Sequence, residues 1–361
     1  MHALAMVVAI LLIFSVLFDA FETIILPRRI RRRVRITSAT YRLTWEPWAS
    51  IARHMKQPTR REGFLSFYGP LALLFLLLIW AVGLIVGFGL IQWALGSHLV
   101  LAGGGGGFGV DLYMSGTTFF TLGLGDVVPR SGPARFATVA ESGLGFAFLA
   151  LVIGYLPILY QAFSRREVNV ALLDARAGSP PTGVELVRRL GAENGGLLLT
   201  QILAEWERWA SELLESHLSY PSLAYFRSQH ENQSWLAALT TILDACALVM
   251  TGIEGIPKQQ ARLTFAMARH AAVDLSQVFE ADPKRNPRDC VTPEELARLR
   301  ELLRSSGLAL AEGPEAETKL SHLRGLYEPY VSGLADALLT PLPPWLPVAG
   351  ARDDWQTSPE E

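Results

Sequence analysis

Charge and cysteine are scarce in this sequence. Of its 361 residues only 18% are charged and 50% are hydrophobic, a balance foreign to a soluble chain of two or three domains. The two cysteines, Cys246 and Cys290, have no Cys-x-x-Cys or His-rich neighbourhood. That argues against a disulfide framework and a zinc site, and they read as buried thiols in a reduced compartment. The net charge of −2 offers no dominant sign to a polyanion, so no nucleic-acid partner is expected. No nucleophile, base and metal cluster can be named, so the chain does not read as an enzyme, and no cofactor is expected.

The charge that is present is unevenly placed. Residues 1–166 carry 15 Lys and Arg against 7 Asp and Glu, whereas 167–361 carry 17 against 27. The first half also holds three apolar runs near the 20 or so residues that cross a bilayer as a helix. They are Ala3–Leu26, Leu71–Trp93 and Phe136–Phe163. The first lacks the basic start and small-x-small site of a cleaved signal peptide. Between the first two runs lie Arg28, Arg29, Arg31, Arg32, Arg33 and Arg35 with further basic residues to Arg61. Such a loop stays cytoplasmic, which places the N-terminus outside and the acidic second half inside a plasma membrane. The Arg28–Arg35 cluster reads as a topogenic anchor touching anionic lipid. Asp19 and Glu22 share a helix face near that cluster, and ion pairing with Arg28 and Arg29 is expected.

Between the second and third runs the chain reads D-L-Y-M-S-G-T-T-F-F-T-L-G-L-G-D-V-V-P from Asp111 to Pro129, after the glycine run Gly103–Gly107. It is too short and polar to span. Asp111–Thr121 suits a short helix with Asp111 as its cap. Gly123 and Gly125 tolerate positive φ, so successive carbonyls can point the same way. A ring of carbonyls can replace the hydration shell of a cation.

Thr121-Leu122-Gly123-Leu124-Gly125-Asp126, followed by Pro129, resembles the selectivity-filter signature of the potassium channel superfamily, T-x-G-[YFL]-G-D-x-x-P. The resemblance covers about residues 66–165. It implies an outer helix over 71–95, a pore helix over 111–120, a filter over 121–126 and an inner helix over 135–163. It further implies that the carbonyls of Thr121, Leu122, Gly123 and Leu124, with the Thr121 hydroxyl, coordinate dehydrated K+. Asp126 would sit at the outer mouth, and four copies would close the filter as a homotetramer. Leu124 stands where an aromatic is commoner and can only pack, which opens the alternative of a weakly selective monovalent cation channel. A membrane receptor or scaffold with a non-conducting pore-like module is the other alternative.

On the inner helix, Gly145, or Gly154 with Pro157, could bend for gating; Gly145 could equally serve close packing. Glu141 is an ionisable group within a span and is expected behind the filter or in the cavity below it. After Arg166 no further run looks long enough to cross a bilayer, and helical spacing predicts an antiparallel bundle over 166–340. Thr292 and Glu295 form a capping-box pattern. A last helix is expected over about Leu320–Leu339, and Trp206, Trp209 and Trp235 read as core. His217, His230, His270 and His322 are scattered, so a metal is not expected. The tail, 341–361, is Pro-rich and then acidic, with Trp345 as a docking candidate. The domain plan is therefore a span over 1–26, a basic linker over 27–65, the pore domain over 66–165, the bundle and the tail. The fold class is an all-α membrane protein with three transmembrane helices, a re-entrant pore helix with its filter and a cytoplasmic helical bundle whose ligand is unknown.

Overall fold

The computed structural model describes residues 1–26, 35–96, 98–100, 107–192, 196–228, 233–283, 292–348, 350 and 353. Residues 28–34 of the arginine cluster, most of the glycine run, His230, Cys290 and the acidic tail end lie outside them. The described chain is helical, with one short antiparallel pairing of β1 (His98–Val100) and β2 (Val127–Pro129). It divides into two compact units, residues 1–51 with 67–161 and residues 52–66 with 162–361.

The first half runs through α1 (His2–Ala20), a π turn (Phe21–Ile25), α2 (Ile36–His54), α3 (Pro58–Ser66), α4 (Tyr68–Leu95), α5 (Phe108–Phe119) and α6 (Gly132–Ala177). The stretch read as a linker over 27–65 thus contains two helices. Thr40, Trp45, Ala49 and Ala52 are buried at helical spacing on α2, which gives that polar segment one apolar face. The inner helix also runs longer than 135–163. Ser164–Ala177 contains neither Gly nor Pro, so nothing stops the helix before Gly178, which has φ of 84°.

Helix α1 lies against α4 across two glycines. A Cβ at Gly83 would stand 2.8 Å from Val16, and one at Gly87 would stand 2.5 Å from Ile13. This is the small-x-x-x-small contact by which apolar helices approach closely. At its end, Asp19 accepts hydrogen bonds from the Trp80 indole (3.0 Å) and from the Thr37 amide (3.1 Å) and hydroxyl (2.7 Å). One buried carboxylate thereby joins α1, α2 and α4. Arg35 lies 3.8 Å from Asp19 and 3.6 Å from Glu22, so the described cation of this site is Arg35.

The second unit contains α3 and continues from α6 through α7 (Gly183–Leu190), α8 (Leu197–Ser219), α9 (Trp235–Gly252), α10 (Lys258–Val278), α11 (Pro293–Arg304), α12 (Pro314–Gly325) and α13 (Glu328–Leu338). Contrary to the expectation of no further long apolar run, α9 is long and apolar enough to cross a membrane by length and composition. Its apolar window is 94% buried in this unit, against 22%, 50% and 17% for the helical stretches His2–Ile25, Pro58–Leu95 and Gly132–Ala177. Its hydrophobicity faces protein, as an all-round apolar helix at the centre of a core does. Trp206, Trp209 and Trp235 belong to that core, as does the thiol of Cys246, whose pKa burial pushes far up.

Thr292 and Glu295 close the capping box of α11. The expected single helix over Leu320–Leu339 is broken after Gly325. Pro329 sits in the first turn of α13; four residues back is Gly325, whose carbonyl the proline ring would strike in a continuous helix. At this break Arg324 pairs with Glu328 at 2.6 Å, the Tyr327 hydroxyl donates to Asp244, and the Trp345 ring lies 4.2 Å from the Arg324 guanidinium. Trp345 docks the proline-rich segment, and its ring is buried.

Arg166, next to the end of the third apolar run, is buried in the second unit. It donates to the carbonyls of Leu223 (2.9 Å) and Phe226 (2.7 Å). It also pairs with Glu167 at 2.8 Å and faces His217, whose Nδ1 bonds the Leu213 carbonyl at 2.8 Å while Nε2 lies 3.4 Å from Arg166. Burial and the Arg166 charge push His217 down from 6.5 to about 3. The unfolded chain therefore takes up a proton near pH 6.5 that the folded chain refuses until near pH 3. The stability held by neutral His217 is whole above the unfolded value and shrinks as pH falls through that window, by at most about 1.4 kcal/mol per pH unit. Melting curves of wild type and His217→Gln between pH 7 and pH 4 should diverge, with the wild type steeper. Parallel slopes would contradict a neutral buried imidazole.

Candidate functional site: the pore module

The module is built on α4, α5, the tract after it and α6. Helix α4 ends at Gly96 in the left-handed conformation, φ 57°, with its amide on the carbonyls of Gln92 and Trp93. Helix α5 starts at Phe108 after Gly107, so Asp111 is a buried residue of its first turn and not its cap. Gly89 on α4 meets the backbone of Leu112, where a Cβ would stand 3.2 Å from Cα. That contact brings α5 close beside α4.

Beyond α5 the backbone changes hand at every second residue. Thr121, Gly123 and Gly125 have φ of 57°, 53° and 78°. For β-branched Thr121 this is a strained conformation of the kind that collects at working sites. The amides of Thr121, Leu122 and Gly123 turn back to α5, the first onto Thr118 O at 2.9 Å and the others onto Thr117 O at 2.7 and 3.2 Å. The inward side of the tract is thus used by its N–H groups. Among the described residues no donor reaches the carbonyls of Thr121, Leu122, Gly123 or Leu124. Residues 121–126 are exposed in the single chain, as are the side chains of Leu122 and Leu124. The tract is fixed from its amide side and leaves a run of carbonyl oxygens open, which is the chemistry that can take a desolvated cation.

Asp126 accepts a hydrogen bond from the Tyr113 hydroxyl. Val127–Pro129 then pairs with β1, and the Pro129 carbonyl accepts from Arg135 Nε at 3.3 Å. Gln92, the polar residue near the end of α4, donates to Ala134 O (3.2 Å) and Thr138 Oγ1 (3.0 Å) on α6.

Behind the tract, α5 rests on α6 through two rungs one helical turn apart. In the first, the Ser115 hydroxyl lies 2.7 Å from Ile85 O on α4 and hydrogen-bonds with the Glu141 carboxyl group. Both side chains are fully buried. In the second, Gly145 abuts the carbonyl of Phe119, and a Cβ would collide with it. Gly143 and Gly154 meet nothing of their own chain within 4 Å. Pro157 lies inside α6, which continues through it.

Sequence reasoning missed Ser115, Tyr113 and Gln92. Each acts across 13 to 46 positions, so no local pattern marks it. The Gly83-x-x-x-Gly87 contact could have been found from its spacing.

Residues 72–162 match the family model described as "Ion channel". This span of the chain is an ion-channel module, and the chain is a multi-pass membrane protein of helical fold. The chain is also similar to the "Uncharacterized membrane protein YdjJ" of Bacillus subtilis (strain 168), 23% identical over 142 residues, which are 39% of this chain and 41% of that protein. The chain therefore spans about two fifths of the length of that relative. No solved structure matches.

If Gly145 carries close packing, Gly145→Ala must push α5 away from α6, at a cost of about 1–3 kcal/mol for an overpacked contact. The expected outcome is a lowered melting temperature and lost cation flux in vesicles for Gly145→Ala, with both near wild type for Gly143→Ala. Equal tolerance of both would show that the contact is not needed.

Proposed function

We propose that the protein is a homotetrameric channel that conducts K+ passively, down its gradient, through four copies of Thr121–Asp126. The observation that carries this reading is the alternating backbone of Thr121, Gly123 and Gly125: the amides of Thr121, Leu122 and Gly123 turn back onto α5, and among the described residues no donor reaches the carbonyls of Thr121 to Leu124. A single tract cannot enclose an ion. Closure by a fourfold ring supplies the missing oxygens and covers the exposed Leu122 and Leu124. K+ is then the transported ion, held by the carbonyls of Thr121, Leu122, Gly123 and Leu124 and by the Thr121 hydroxyl, with Asp126 at the outer mouth. No other cofactor and no catalysis belong to this reading.

The basic segment Arg28–Arg35 places that loop on the cytoplasmic side of a plasma membrane, near anionic lipid. The helical second unit is then cytoplasmic and regulates the pore. Gly154 and Pro157 are the positions of α6 where bending opens it, while Gly145 acts through its contact with Phe119. Nothing in this reading calls for nucleic acid.

Leu124 sets the sharpest test. Reconstituted protein in mixed K+ and Na+ should show a reversal potential near that of K+, block by barium, and silence on Gly123→Asp. Equal permeability would replace the reading by a weakly selective cation pore. A folded, silent tetramer would replace it by a receptor or scaffold.

A further inference from the structure

We propose that Glu141 is a positioning residue that works as a neutral carboxylic acid, donating its proton to Ser115 so that one buried hydrogen-bond chain ties α4, α5 and α6 together behind the filter. The argument is a count of hydrogens. Ser115 Oγ has two oxygen neighbours, Ile85 O at 2.7 Å and Glu141 Oε1. A backbone carbonyl only accepts, and a serine hydroxyl has one hydrogen to give. If Ser115 gave it to an ionised Glu141, two acceptor oxygens would face each other at 2.7 Å with nothing between them, in a site with no exposure to solvent. If Ser115 gives it to Ile85 O, the second contact needs a hydrogen from Glu141. The complete arrangement runs from the Glu141 acid O–H to Ser115 Oγ, and from the Ser115 hydroxyl to the Ile85 carbonyl.

Charge points the same way. Among the described residues the other buried glutamates each lie against arginine: Glu22 is 3.6 Å from Arg35, Glu185 is 2.6 Å from Arg188 and from Arg189, and Glu328 is 2.6 Å from Arg324. Among the described residues no cation pairs with Glu141, and its Oε2 has no hydrogen-bond partner. An ionised carboxylate left this way carries the full cost of desolvation, whereas a neutral acid leaves one weak acceptor unmet. The three segments joined by the chain are the outer helix at Ile85, the pore helix at Ser115 and the inner helix at Glu141. Phe119 and Gly145 make the next rung, and Thr121 follows two residues later. The proton thus holds the helix whose terminal carbonyls anchor the filter amides. The effect on permeation rests on the pore reading above; the protonation does not.

Infrared spectroscopy of the purified full-length protein in lipid, at neutral pH, tests the proton directly. Glutamate labelled with heavy carbon at the side-chain carboxyl should shift a band in the range of protonated carboxylic acids in the wild type, and that band should be missing in Glu141→Gln. Absence of a label-sensitive acid band in the wild type, or its persistence unchanged in Glu141→Gln, overturns the proposal. The labelled wild type decides the matter even where the variant does not fold. For the positioning role, Glu141→Gln keeps an N–H to give to Ser115 and should retain flux within about twofold. Glu141→Ala leaves the chain without its donor and should lose about tenfold or more. Equal flux in the two variants overturns the positioning role. Silence of the wild type, with the acid band present, would defeat the pore reading and leave the proton in place.

Discussion

The pore module depends on how closely a short helix can be brought against a long one. Helix α5 is held from one side by Gly89 of α4 and from the other by Gly145 of α6, two positions where the absence of a side chain sets the distance. Close approach alone does not fix which turn meets which. The polar rung at Ser115 and Glu141 does, because a buried polar group that slips one turn along loses its partner and bears the desolvation cost. The carbonyls of Thr117 and Thr118 at the end of α5 accept from the amides of Thr121, Leu122 and Gly123, so whatever fixes α5 also fixes the start of the tract. The strained backbone of Thr121 is affordable for that reason: the surroundings over-determine it.

The two units solve the burial problem by opposite means. In the first, Asp19 gathers a tryptophan, a threonine and an arginine at the end of an apolar helix pair, and much of α1 and α6 stays exposed to whatever surrounds the chain. In the second, an apolar helix is enclosed by its neighbours, and one group of buried charges sits at the break between α12 and α13. There a buried Arg324 is balanced by Glu328 and covered by Trp345. Buried pairs of this kind add little net stability, but removing one partner is expensive, which makes them effective at fixing a single arrangement.

The apolar runs, the glycines at 123 and 125 and the capping box at Thr292 were legible because each is a local pattern with a local cause. The limits of α6 were harder to read, since hydrophobicity marks where a helix meets lipid and says nothing about where it stops; Gly178 does that. Helix α9 shows the reverse error. A mostly apolar helix of eighteen residues looks alike to a bilayer and to a bundle core, and the surrounding helices decide between them. The break at Pro329 was present in the sequence, but an apolar periodicity running across it concealed the kink. Glu141 stood out at once as an ionisable group in a span. Its partner did not, because a serine 26 residues away on another helix leaves no mark on the sequence around it.

Glu141 and Gly145 lie within the first four turns of α6, one turn apart, and their partners Ser115 and Phe119 lie one turn apart on α5. Sliding this part of α6 past α5 by a single residue would unseat both contacts together, so the pair behaves as a detent that admits one setting of the two helices.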